Sequence, residues 1–178
     1  MEAQKQQANP VEVGIRYGLP IALAGVLVDF LTRVAGISVL VYTIVAGLLA
    51  LTITVVGIVF AHKSFRQVNG GTMTYVQGIV IALVMVLISS LISALFNYVY
   101  VNYVDPDFVA RMKGEMAAFM ERNRVPQVQI DQSTAKLDEM SPTPAKALLN
   151  GIKNGLIGGI LFGAIISAFT KRKVADFE

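Results

Sequence analysis

The chain has 178 residues, of which 54% are hydrophobic and only 15% charged, and its mean hydropathy is +0.61. That is too apolar for an ordinary water-soluble domain and points to the bilayer as solvent. The formal net charge of +3 is carried by residues that sit singly or beside apolar runs, which argues against a nucleic-acid binder, and the absence of Cys excludes disulfides, thiolate nucleophiles and cysteine-ligated metals.

A helix crossing the hydrocarbon core needs roughly 20 mainly apolar residues, since about 1.5 Å of rise per residue must cover about 30 Å. Four stretches meet that need, at about residues 14–33, 36–61, 75–101 and 147–170. The first helix is predicted to start ahead of the membrane, with Asn9 as cap, Pro10 in the first helical position and Glu12 at the third, as in a capping box. Pro20 then falls inside it and removes one backbone hydrogen bond. A cleaved signal peptide is the rival reading of this run, and Asp29 within it argues against that. The second stretch, Gly36 to Ala61, is free of charge and leads into His62, Lys63 and Arg66, followed by the tight-turn signal Asn69, Gly70, Gly71. Lys63 and Arg66 in that connection, with Lys171, Arg172 and Lys173 after the fourth span, place both on the cytoplasmic side. An even number of spans then puts both termini inside and residues 102–146 outside.

The third span carries Ser89, Ser93 and Asn97 at i, i+4 and i+8, side chains able to hydrogen-bond across helices. Tyr98, Tyr100 and Tyr103 suit the outer interface, where a ring and a wet hydroxyl are both accommodated. Asp105 and Pro106 read as the cap and first position of an amphipathic helix reaching about Arg124. Phe108, Met112, Met116, Phe119 and Met120 share one of its faces, and Asp107 is expected to pair with Arg111 at i+4. Such a face suits a helix lying on the membrane or folded over the bundle, or else one docked by a partner. A short helical turn is predicted at Thr134 to Met140, and Thr143 with Pro144 caps the fourth helix.

On that helix Gly151, Gly155, Gly159 and Gly163 recur every four residues and Ser167 continues the series. Membrane helices gain little from apolar burial against one another and associate where small residues let backbones approach. The seam is therefore expected to pack either within the chain, on Gly14, Gly18 and Ala22 of the first span, or against a partner's helix or a second copy. Asp29 and Lys153 are expected at similar depth and form a candidate intramembrane ion pair. The alternatives are an Asp29 pair with Arg33 one turn away, and a Lys153 that snorkels to the interface. No catalytic, cofactor-binding or metal-ligating residue is assigned: His62 has no second histidine, and no HExxH, GxSxG or Walker loop occurs.

The segments AHKSFRQVNGGTMTYVQG and NYVYVNYVDPDF, joined by one apolar span, resemble a bacterial membrane-protein family known as domain of unknown function 4199. Phe65, Arg66, Gly71, Asp105 and Pro106 carry the resemblance best. It implies a four-helix protein of the bacterial inner membrane with no established activity. The chain is thus expected to be an all-α membrane protein, a bundle of four transmembrane helices plus an amphipathic helix in the outer loop between spans three and four. Its expected role is a non-enzymatic accessory or scaffold subunit for cell-envelope processes, or alternatively a small oligomeric transporter or lipid-carrier translocator. The expected partners are the lipid bilayer and either a membrane protein or a second copy of the chain. No nucleic-acid partner and no cofactor are expected.

Overall fold

The computed structural model describes residues 8–140 and 143–172. The order of elements is α1 (Pro10–Val34), α2 (Val39–Val68), α3 (Tyr75–Val99), a π-helical turn (Tyr100–Val104), α4 (Phe108–Arg122), α5 (Gln127–Lys136), a 3-10 turn (Leu137–Met140) and α6 (Pro144–Thr170). Among the described residues four helical segments are long and apolar enough to cross a membrane: Pro10–Val34, Val41–Val68, Tyr75–Val104 and Pro144–Thr170. In a medium without water every backbone N–H and C=O must be satisfied within the chain, which helices achieve residue by residue.

The ends of the helices are written into the sequence. The Asn9 side chain accepts from the Val11 amide at 2.9 Å and Pro10 takes the first position of α1, whereas the bond from Glu12 expected of a capping box is not formed. Thr74 and Gln77 form a capping box at the start of α3, and Thr143 with Pro144 opens α6. Between α2 and α3, Gly70 and Gly71 adopt φ values of +66° and +84°, which only glycine reaches without strain.

The third helix is the axis of the bundle. Both α1 and α6 pack along α3 and make little contact with each other, while α2 lies on α1 and reaches α6 near one end. At that end, here the turn end, Ile58, Ala61, Phe65, Met73, Ile81, Ala82 and Met85 form a closed core. At the opposite loop end a second cluster joins Tyr100, Val101, Phe108, Val109 and Met112.

The glycine seam packs inside the chain, but on α3 rather than on α1. A Cβ at Gly159 would stand 2.8 Å from Leu83 Cα, one at Gly155 2.8 Å from Leu87 Cα, and one at Gly163 3.1 Å from Ile79 Cα. Gly14 and Gly18 of α1 approach α3 as well, at Val84 and Met85. The expected pairing of these two seams is therefore corrected: each small-residue face lies against α3, whose backbone it can approach closely because the glycines carry no Cβ.

The loop end departs from expectation in two places. Arg111 pairs with Asp105, not Asp107, because the Asp105-Pro106 turn folds the Asp105 carboxylate over the first turn of α4. One nitrogen of the fork, Nη1, donates to Oδ1 at 3.1 Å. Regular helix also begins earlier than the predicted turn at Thr134, at Gln127, because Ile130 is buried and anchors this otherwise polar segment. Of the predicted apolar face of α4, Phe108 and Met112 are buried and Phe119 is exposed.

Candidate functional site

Arg33, one residue before the end of α1, organises the loop end. Its side chain is only 4% exposed, and it forms an ion pair with Asp29 one turn earlier, Nη2 to Oδ2 at 2.9 Å, with Nε donating to the same carboxylate. Nη2 also donates to Asn97 Oδ1 of α3 at 3.1 Å. The rings of Tyr42, Phe96, Tyr100 and Phe108 surround the guanidinium, with centroids 5.7, 5.6, 4.6 and 4.7 Å from its central carbon. Ring faces carry negative potential and, in a desolvated site, each stabilises a cation by up to about 2 kcal/mol. Four separate segments thus converge on one charge.

The local chain geometry makes that convergence possible. After Val99 the helix widens into a π turn closed by the Asp105 amide on the Tyr100 carbonyl at 2.8 Å. The extra residue turns Tyr100 inward and sets Asp105 against Arg111, and such bulges are frequent at functional sites. The Tyr42 hydroxyl donates to Asp29 Oδ1 at 2.5 Å, so the carboxylate has partners from two helices.

The Asp29–Lys153 pair expected from the sequence is not formed. Lys153 is exposed on α6 and belongs to no ion pair among the described residues, whereas Asp29 pairs with Arg33. The physical reason is reach: an i,i+4 partner lies on the same helix face, and the ring cage and Asn97 already fix Arg33 there.

Beside this pair a cleft of about 370 Å³ opens between α1 and α6, with α3 as its floor. Its polar lining comes from Asp29, Arg33, Ser90, Ser93, Asn97, Asn150 and Asn154. Ser90 ties floor to wall by donating to the Gly151 carbonyl at 2.8 Å. Among the described residues the side chains of Ser93, Asn150 and Asn154 have no hydrogen-bond partner. Of the predicted seam on α3, Ser93 and Asn97 line the cleft and Ser89 does not; its neighbour Ser90 makes the cross-helix bond instead. Asn150 and Asn154 escaped the sequence reading, although two amides four residues apart within an apolar run are themselves a one-face signal.

The turn end holds the other buried polar group. His62 is fully buried, because α2 continues past the apolar run to Val68 and turns it inward beneath α3 and α6. Its Nε2 lies 3.0 Å from the Gly78 carbonyl, which can only accept, so Nε2 carries the hydrogen and Nδ1 faces the Thr170 hydroxyl at 2.8 Å. One turn on, Arg66 Nη1 donates to the Thr170 carbonyl at 2.9 Å, and Met73 and Arg172 exchange backbone hydrogen bonds of 2.8 and 2.9 Å. Of the residues that carried the family resemblance, Phe65, Arg66 and Gly71 serve this junction, while Asp105 and Pro106 form the turn into α4. Among the described residues no three His, Asp or Glu side chains cluster in a way that would hold a metal ion.

Fold and sites together define an all-α multi-pass membrane protein in which one central helix carries two others and whose two ends are locked differently. Residues 16–172 match the family described as "Protein of unknown function (DUF4199)", and the chain belongs to that family. Comparison with curated proteins and with solved structures finds no match.

Proposed function

We propose that this chain is a non-enzymatic accessory protein of the membrane whose working part is the cleft at the loop end, a binding site for the uncharged, hydroxyl-bearing headgroup of a lipid. The observation that carries the reading is the gathering around one cavity of Ser93, Asn150 and Asn154, exposed polar side chains with no hydrogen-bond partner among the described residues. Counted from the expected start of the fourth span at residue 147, Asn150 and Asn154 stand roughly 5 and 11 Å along it at about 1.5 Å per residue, exposed where hydrocarbon would leave an unpaired amide unfavourable. A ligand with several hydroxyls answers amides and serines because each group can both donate and accept. The cleft carries no net charge, since Asp29 and Arg33 neutralise one another. That carboxylate is committed to Arg33 and Tyr42, which supports a binding role over acid–base chemistry. The scaffold version of the role, with the glycine seam recruiting a foreign helix, has less support, because α3 fills that seam.

The test is retention of lipid by the purified protein, read by native mass spectrometry. Monoglucosyl diacylglycerol should be retained by the wild type and lost from Asn150→Ala/Asn154→Ala, with helicity unchanged. Equal retention of diacylglycerol lacking the sugar would refute the proposal. A second reading, a small translocator acting as an oligomer, draws on one observation: the cleft extends down α3 as far as Ser90. Transfer of a fluorescent glycolipid between leaflets of proteoliposomes separates it from simple binding.

A further inference from the structure

At the turn end a separate cleft of about 310 Å³ is lined by Lys63, Arg66, Gln67, Gly71 and Arg172. Among the described residues five line it, of which three are cations and none is acidic. They come from two segments distant in sequence: Lys63 and Arg66 in the last turns of α2 with Gly71 in the glycine turn that follows, and Arg172 from the strand-like residue after α6. Like charges do not gather without something to hold them, and here the holders are visible. The Thr170 carbonyl takes one nitrogen of Arg66, leaving the rest of its fork free to bind, and the paired backbone hydrogen bonds with Met73 fix Arg172 beside the turn. Lys171 next to it lies 5.7 Å from the Tyr75 ring centroid and adds positive potential at the rim.

On the membrane side of the cations the surface is apolar. Phe60 stands on α2 three residues before Lys63, Phe169 on α6 three residues before Arg172, and Phe169 is 85% exposed. A ligand matching both parts bears an anionic phosphate, which a planar guanidinium fork binds in two-point fashion, joined to hydrocarbon that lies along the two phenylalanines. Basic pockets between membrane helices are suited to anionic headgroups for this reason. We propose that the cleft formed by Lys63, Arg66 and Arg172 is a binding site for the phosphate group of an anionic membrane lipid. It is independent of the loop-end cleft, which lies at the opposite end of the bundle and is lined by uncharged side chains and one neutralised pair.

The test compares thermal midpoints of the full chain in neutral detergent with added phosphatidylglycerol, phosphatidylcholine of the same acyl chains, or inorganic phosphate. Phosphatidylglycerol should raise the midpoint, and the gain should shrink as salt is added. In Lys63→Gln/Arg172→Gln the apparent affinity for phosphatidylglycerol should fall about tenfold or more. The midpoint without lipid should stay near that of the wild type, because the bridge of Arg172 to Met73 is made by backbone atoms alone. If the double variant loses stability without lipid, each single variant titrated with phosphatidylglycerol serves in its place. Equal stabilisation by phosphatidylcholine, or an undiminished response of the variants, overturns the proposal. An equal response to inorganic phosphate assigns the site to a free anion and overturns the lipid.

Discussion

Arg33 shows how a single charge can be tolerated inside an apolar bundle: one ion pair, one amide and four rings replace its hydration. Removing one member of such a buried pair leaves the other uncompensated, which costs about 3–5 kcal/mol. Arg33→Met should therefore destabilise the protein by about that amount in reversible unfolding from mixed micelles, and Arg33→Lys should recover only part, lacking the fork that reaches both Asp29 and Asn97. Lys153→Met should shift stability by less than about 0.5 kcal/mol, since Lys153 is exposed and forms no ion pair among the described residues. A loss at Lys153 comparable with that at Arg33 would restore the cross-bundle pair. Asp105, outside the spans, is partly buried and has a pH signature. Hydrogen bonding from Arg111, opposed by partial burial, holds its carboxyl below the ordinary 3.8. A depressed folded-state value means that its stabilising contribution is complete well above pH 3.8 and is lost as the pH falls below it. The thermal midpoint of the wild type should thus drop more between pH 6 and pH 3 than that of Asp105→Asn.

Among the elements, the contact of α6 with α3 is the one most exposed to small changes. Gly159→Ala would press a methyl group onto the Leu83 backbone, which cannot rotate away, so α6 must move outward along its length. Overpacking of this kind typically costs about 1–3 kcal/mol. Gly25→Ala and Gly47→Ala meet nothing within 4 Å and sit within helices, so they should be neutral or stabilising by up to about 1 kcal/mol. Comparing the three variants by unfolding separates close packing from helix propensity; equal effects would mean that the seam does not carry the bundle. The spans and the seam could be read from the chain because hydropathy and a four-residue repeat are local signals. The partner of the seam could not, because the small-residue face of α1 and the long apolar flank of α3 are both able to receive glycines, and only the docked structure decides between them. The burial of His62 was not legible for a related reason. Its neighbour Lys63 suggests an interface, yet the helix outlasts the apolar run and buries the ring. The spacing of Asn150 and Asn154 puts them on one face, but that α1 stands across a cleft from that face is legible only in the structure.

For the whole molecule, the two ends divide the labour unequally. The turn end is closed by hydrogen bonds that join His62 to Gly78 of α3 and to Thr170 of α6 and Arg66 to the Thr170 carbonyl, so α2, α3 and α6 are fastened there. At the loop end α1 and α6 remain apart, and the π turn, α4 and the Arg33 cage brace α1, α2 and α3 without closing the cleft. A site that takes a lipid headgroup must be open on one side and rigid on the other, and this arrangement meets both needs. The same division fixes what a topology experiment must find, and the chain's lack of Cys gives it a clean background. Gln67→Cys places a thiol on the exposed surface near the glycine turn, and Ala118→Cys places one on the exposed surface of α4. With the cationic turn end on the cytoplasmic side, a membrane-impermeant maleimide applied to intact cells should label Ala118→Cys and reach Gln67→Cys only after permeabilisation. Labelling of both from outside would contradict any arrangement in which the α2–α3 and α3–α6 connections lie on opposite faces, and with it the premise that α3 crosses the bilayer alongside α1 and α6. Labelling with the sides exchanged would keep the bundle but invert it, moving the polar cleft to the cytoplasmic leaflet and the cationic cleft to the outer one.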